Sequence, residues 1–277
     1  MEARPHRLNH DFEWQAPAGP YRRISHEQAR SWSEHGFFVL EDAFSEDEVD
    51  AVTAEIDPWE AKVEAFLQTQ KDGRLFIARA GEITFSTHLV VKSKPLREFV
   101  SGPVFRDLGH DLIGPDVRLY WDQAVYKKPG TRELFPWHQD NGYTYVEPQQ
   151  YVTCWVALTD ADERNGCPHV LPGLHRRGTL AHELGPLGFV CVDDDAYESV
   201  AAPVKKGGIV VFSSLTPHAT GPNETDAIRK AYIVQLAPDG AHVRMAEDLD
   251  APPTPCDAPE RQFQILVAGE TPRPAGA

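Results

Sequence analysis

The stretch FPWHQDNGY, residues 135 to 143, sets a histidine and an aspartate two positions apart, behind a proline and a tryptophan. On an extended strand, side chains two apart point to the same face, so His138 and Asp140 can reach one point while Gln139 faces the other way. One imidazole with one carboxylate is a mixed nitrogen and oxygen donor set that suits iron or manganese as well as zinc, whereas a soft thiolate site would recruit cysteine. A second histidine would complete a triangular face. His218 has the most suggestive setting, because it follows the strand-like IVVFSS and sits in SLTPHATGPNETDAIRKAYIVQ, upstream of Arg229. Two histidines and one carboxylate on one face of an octahedral ion leave the opposite face open, as an oxygen-activating centre requires. Each residue alone also has a plainer reading: HxD arises by chance, His218 could be a loop histidine beside a proline, and Arg229 a strand-end surface charge. Their joint occurrence, in this order and in a β-rich half, is what points to a metal.

The elements that must position them divide the chain in two. From Val117 the runs VRLYWDQAVY, QYVTCWVALT, GGIVVFSS and RKAYIVQLA are short, β-rich and separated by Gly, Pro, Asp and Asn clusters, which predicts an antiparallel barrel or jelly roll. Alternation places Thr153, Trp155 and Ala157 on one face of their strand and Val152, Val156 and Leu158 on the other. Upstream, Ser25 with Gln28 and Ser45 with Glu48 have capping-box spacing, Gly36 is a plausible stop, and FFVL at 37 to 40 reads as a strand. Pro58 is expected to interrupt the second helix before Trp59 to Gln70 resumes it. The first 110 residues therefore read as mixed, with helices prominent.

The whole chain is expected to form one domain over residues 1–277. An N-terminal arm covers 1–20, and a Pro-rich extension of surface chain covers 250–277, including Pro252, Pro253, Pro255, Pro259, Pro272 and Pro274. Of the 277 residues, 41% are hydrophobic and 25% charged, an ordinary folded composition. A net charge of -15 disfavours nucleic acid or an anionic membrane surface as partner and leaves a small-molecule substrate as the better fit. Four scattered cysteines without a CxxC pair indicate neither a zinc knuckle nor a disulfide framework. With no secretory signal and no long apolar run, the expectation is a cytoplasmic protein, a monomer or weak homo-oligomer.

WHQD, NGCPHVLPGLHR, TPHATGPN and RKAYIVQ, in this order and spacing between about Asp122 and Gln235, with a weaker echo in GFFVLEDAFSEDEV, give the chain its kinship. It resembles the phytanoyl-CoA dioxygenase (PhyH-like) branch of the iron(II)- and 2-oxoglutarate-dependent oxygenases. The resemblance implies a mainly β fold with flanking helices, a cupin-like double-stranded β-helix or jelly roll. It implies His138, Asp140 and His218 as iron(II) ligands, and Arg229 as partner of the distal carboxylate of 2-oxoglutarate, with Thr220 adding a hydroxyl. Trp155 and Gln139 fall where the family places further cosubstrate-lining residues, and Gln123 is a weaker candidate of the same kind. A guanidinium suits such a carboxylate because it presents two parallel donors.

The implied reaction uses dioxygen, releases succinate and carbon dioxide, and by default hydroxylates an aliphatic C–H of a small metabolite or natural-product intermediate. Desaturation, epoxidation or oxidative cyclisation at the same centre are alternatives, as is a cupin-type metalloenzyme independent of 2-oxoglutarate. Retention of Asp140 disfavours halogenation. His169 and His175 read as pocket rim or residues behind the ligands, not as ligands. Asn141, Tyr143 and Tyr145 read either as substrate contacts or as surface loop. Lys127–Lys128 and Arg176–Arg177 read as solvated rim rather than a phosphate clamp for an acyl-CoA.

Overall fold

Local signals start the helices where expected in the computed structural model, which describes residues 1–193, 195–245 and 249–273. Ser25 and Ser45 each close a full capping box, satisfying two amide donors at the heads of helices His26–His35 and Glu46–Gln68. Gly36 ends the first helix at φ 82°, where an added Cβ would collide with Thr216 and His175. The second helix runs unbroken through Pro58, contrary to expectation. Pro58 and Ala54, whose carbonyl loses its partner, both lie on the exposed face, so water satisfies the break. Val49, Val52 and Ile56 before Pro58, and Glu60 and Leu67 after it, stay anchored in the interior.

The β-rich half forms two facing sheets. In the larger, neighbouring strands run Phe37–Leu40, Ile209–Ser213, Val152–Ala157, Arg229–Pro238, Val117–Lys127, Ile83–Thr87, Ala78–Arg79 and Arg74–Leu75, with Gln264–Leu266 also against Val117–Lys127. In the smaller the order is Val200–Ala201, Pro168–Val170, His218–Thr220, Phe135–His138. All the pairings are antiparallel, and the fold is a jelly roll, as anticipated. One core fills the space between the outer face of the large sheet and the helices, where Val152, Val156, Tyr232 and Val234 meet Trp32, Val52, Leu96 and Phe105. A second lies between the sheets, with Trp155, Val125, Ile233 and Phe212 against Phe135.

A β-bulge decides what faces inward. The register of Arg229–Pro238 on Val117–Lys127 slips beside Gln235, where Trp121 and Leu119 oppose successive residues and Tyr120 has no partner. The extra residue reverses the alternation beyond it, turning Gln123, Val125 and Lys127 toward the inner cavity and Asp122 toward the helices. There Asp122 accepts from the amides of Leu89 and Val90 and from the Tyr232 hydroxyl.

Both ends of the chain are held to the body of the fold. The arm is held by His6 N–H to Thr179 O, by Asn9 on Arg177 and Thr179, and by Trp14 against Trp32 and His175. After residue 250, Thr254–Pro255 joins a small sheet, and Gln264–Leu266 joins the large one with Ile265 and Leu266 buried. The region is thus built into the sheets rather than laid over them, because its apolar positions outlast its prolines; Pro274 lies outside the described residues.

Candidate active site

His138 ends one strand of the small sheet and His218 begins the next, directly opposite in register. Opposed residues on neighbouring strands hold their side chains side by side, and the two imidazole centroids are 4.2 Å apart. Asp140 follows His138 in the turn Asp140–Gly142. One donor atom from each of His138, Asp140 and His218 falls within 4.8 Å of the others, the only such cluster of three or more among the described residues.

Each of the three side chains is oriented by a second bond. His138 Nδ1 meets Pro136 O at 2.8 Å and His218 Nδ1 meets Thr216 O at 3.0 Å. A carbonyl can only accept, so Nδ1 carries the proton in both rings and Nε2 is left with its lone pair for a metal. Burial pushes the pKa of His138 down to about 3, with His218 beside it acting the same way, and burial pushes that of His218 down to about 4. Both rings are therefore neutral, the state that binds metal. Asp140 donates nothing and accepts from Thr153 Oγ1 at 2.5 Å, and Gln235 reaches the same hydroxyl at 3.4 Å. Burial raises the carboxyl's pKa, against the pull of His138 and of these hydrogen bonds.

The triad opens into a cavity of about 60 Å³ between the sheets. Its far wall carries Arg229, 1% exposed, whose three guanidinium nitrogens have no hydrogen-bond partner among the described residues. The face of Trp155, 5.1 Å away, offers it partial compensation. Burial pulls the pKa of Arg229 down to about 10, so at neutral pH it keeps its charge. An uncompensated buried cation costs on the order of several kcal/mol, a cost that an anionic ligand would remove. The remaining lining is Gln123, Thr153 and Thr220 among Ile83, Phe85, Val125, Phe135, Phe212 and Ile233.

Of the expected cosubstrate residues, Thr220, Trp155, Gln123 and Arg229 line this cavity, and Gln139 does not. The Gln139 amide turns away from the ligands, donating to Gly178 O and Leu215 O and accepting from Leu180 N–H. Strand alternation, which already set it opposite His138 and Asp140, outweighs the resemblance there. Asn141 stitches its turn to Thr179 and Val146, and Tyr145 lies under the arm, bonded to Leu8 O. Tyr143 alone of the three stays by the ligands, edge-on to His138 at 5.3 Å. His175 is buried against Trp14, which removes the first of its two readings, the pocket rim, because the arm covers it. Lys127 is likewise buried, and Lys128 bonds Glu60, so neither is solvated rim.

Two contributors were not foreseen. Gln235 shares the inward face of its strand with Arg229, Ala231 and Ile233, so alternation carried the signal. His182 stands in a loop without any such pattern. Its Nε2 accepts from Gln139 N–H at 2.9 Å, its Nδ1 meets Leu180 O at 2.9 Å, and burial holds its pKa down to about 3.

Comparison with known proteins agrees with this geometry. The model of the phytanoyl-CoA dioxygenase (PhyH) family matches residues 32–231. The chain belongs to that family. Among PhyH relatives, phytanoyl-CoA dioxygenase domain-containing protein 1 of Mus musculus is 28% identical, covering 77% of this chain and 90% of its own length. Methylphosphonate hydroxylase of Gimesia maris is 26% identical over 75% of this chain and 78% of its own. Among solved structures, the α-ketoglutarate-dependent carbocyclase SnoK from nogalamycin biosynthesis superposes with a TM-score of 0.69 at 24% identity, covering 86% of this chain and 96% of that one. EvdO2 from Micromonospora carbonacea var. aurantiaca, complexed with 2-oxoglutarate, gives 0.61 at 25% identity, with coverage of 85% and 97%. As a PhyH member with this triad, the protein is an iron(II)- and 2-oxoglutarate-dependent oxygenase. Among the described residues no helix is long and apolar enough to cross a membrane.

Proposed function

We propose that the enzyme hydroxylates an aliphatic C–H bond of a small metabolite or natural-product intermediate, with His138, Asp140 and His218 as the iron ligands and Arg229 as the anchor for 2-oxoglutarate. The observation that carries the assignment is the pairing, across one cavity, of a three-donor cluster with a buried guanidinium that has no hydrogen-bond partner among the described residues. The donors fit iron(II): two neutral imidazoles and a carboxylate leave coordination positions open. When bound, the iron with 2-oxoglutarate and dioxygen supplies the oxidising chemistry that releases succinate and carbon dioxide.

The chain's own groups bind, orient and shield. Thr153 fixes the Asp140 oxygens. Arg229 presents its fork to the distal carboxylate of the cosubstrate, Thr220 adds a hydroxyl, and Trp155 and Gln123 bound the channel. Phe85, Phe135, Phe212, Ile83 and Val125 keep water away from the reacting carbon and favour an apolar substrate segment there. Against an acyl-CoA, the adjacent basic pairs are already engaged: Lys128 with Glu60, Arg176 with Ser33 O and Arg177 with Ala3 O. The relatives named for methylphosphonate and 2-aminoethylphosphonate also point to a small substrate.

The test is a screen of small metabolites for accelerated succinate release by the iron-loaded enzyme, with mass analysis of the product. A gain of one oxygen atom is expected. Loss of two hydrogens would replace hydroxylation with desaturation or ring closure, and succinate release that survives Asp140→Ala would sink the ligand assignment.

A further inference from the structure

Lys127 is a second buried basic residue beside Arg229, outside the lining of the cavity, and nothing said so far uses it. It faces Arg229 directly across the ladder, is 1% exposed, and has no carboxylate among its hydrogen-bond partners. A buried lysine normally requires a reason, since an unpaired ammonium in the interior is among the more costly groups a fold can hold. Its Nζ makes three contacts: Thr220 O at 3.2 Å, Thr220 Oγ1 at 3.1 Å and the carbonyl of Gly221. Burial, and then the neighbouring guanidinium, push its pKa down to about 6.

The contact with Thr220 Oγ1 has a directional consequence. An anion bound in front of Arg229 would raise that pKa and restore the ammonium, which has no acceptor site, so in that state the hydroxyl accepts from it. That places the lysine on the oxygen's lone-pair side and leaves the hydroxyl proton to point elsewhere. Thr220 Oγ1 makes no other hydrogen bond among the described residues, and it lines the cavity that Arg229 also lines. With the backbone oxygens of Thr220 and Gly221 pinned by the same Nζ, the hydroxyl is held as a donor aimed into the space in front of the guanidinium.

We propose that Lys127 is a positioning residue for the cosubstrate, orienting the Thr220 hydroxyl as a second donor beside Arg229 and so setting the preference for a 2-oxo acid with a distal carboxylate. The inference rests on the reading of Arg229 and Thr220 given above, and adds a residue that acts through Thr220 without touching the cosubstrate. Arg229, joined by Lys127 once an anion has restored its proton, also favours a dicarboxylate over a 2-oxo acid with an apolar end, because only the former supplies the missing counter-charge.

The experiment is an anaerobic titration of the iron(II)-loaded protein with 2-oxoglutarate and, separately, with 2-oxobutyrate, which lacks the distal carboxylate, following the visible band of the chelate. Lys127→Met and Thr220→Val are each expected to weaken 2-oxoglutarate binding about ten-fold, the size of effect when a hydrogen bond to a charged group is lost. Iron and 2-oxobutyrate affinities should stay at parent values. The double variant should be no weaker than either single one, since both remove the same donor. Equal loss of both 2-oxo acids in Lys127→Met would mark a merely structural lysine and overturn the proposal. So would a Thr220→Val protein, whose folding does not depend on replacing a buried lysine, that kept the parent's ratio of affinities. A parent that bound both acids alike would overturn the Arg229 assignment as well, and is thereby distinguished from failure of the Lys127 step alone.

Discussion

Thr153 supports the proposed metal centre from behind one of its three donors. Its hydroxyl holds Asp140 Oδ2 at 2.5 Å, and Gln235 backs the same hydroxyl, so the carboxylate has one orientation before any ion arrives. Thr153→Val keeps the shape and removes the donor. It should weaken iron(II) affinity by about ten-fold or more, the usual cost of losing a partner behind a ligand, as read by competition with a chelating dye; an unchanged affinity would show that Asp140 needs no support. At this scale the sequence was most legible where a motif or an alternation existed. His138, Asp140, His218 and Arg229 could be named from motif and order, and Thr153 could be placed on the cavity face from Trp155. Gln139 and Lys127 were misjudged for opposite reasons: a family pattern was carried past what alternation allowed, and a charged pair was assumed solvated although the bulge beside Tyr120 turns Lys127 inward.

Among the elements, the turn that carries Asp140 is the most constrained. His182 reaches across to accept from Gln139 N–H, and its ring fills the space where Gly142 has no side chain: a Cβ there would lie 2.0 Å from His182 Cε1. Gly142→Ala must therefore displace the ring and free the amide between the two ligands. The expected outcome is a loss of metal affinity of about ten-fold together with a lower melting temperature, whereas a variant that binds metal like the parent would show that the turn holds without His182. No periodicity could have announced this contact, since it joins a turn to a loop. Capping boxes and strands were legible because their signals are local. Pro58 misled because whether a proline breaks a helix depends on where the freed carbonyl points, which is a tertiary fact.

Over the whole molecule, the N-terminal arm lies over the surface, with Ala3 the one buried residue among 1–20, while the C-terminal extension adds strands to two sheets. The arm seals His175, whose Nε2 contacts Ser33 O while its Nδ1 is buried without a hydrogen-bond partner among the described residues. Burial pushes its pKa from 6.5 down to about 4. Between those values the unfolded chain binds the extra proton and the folded one does not, so this contribution to stability is present above pH 6.5 and is lost as the pH falls toward 4. The melting temperature of the parent should thus fall more steeply over that window than that of His175→Gln, with other buried titrating groups cancelling between the two proteins; parallel curves would contradict the assignment. What the sheets, helices and ends jointly secure is one convergence, of two imidazoles and a carboxylate with a guanidinium across the cavity. It is tested most directly by adding iron(II) and 2-oxoglutarate to the protein without oxygen and recording the visible band of the chelate. The account predicts the band in the parent, and its loss or marked weakening in Asp140→Ala and His218→Ala. A parent that shows no band, or variants that keep it undiminished, would contradict it.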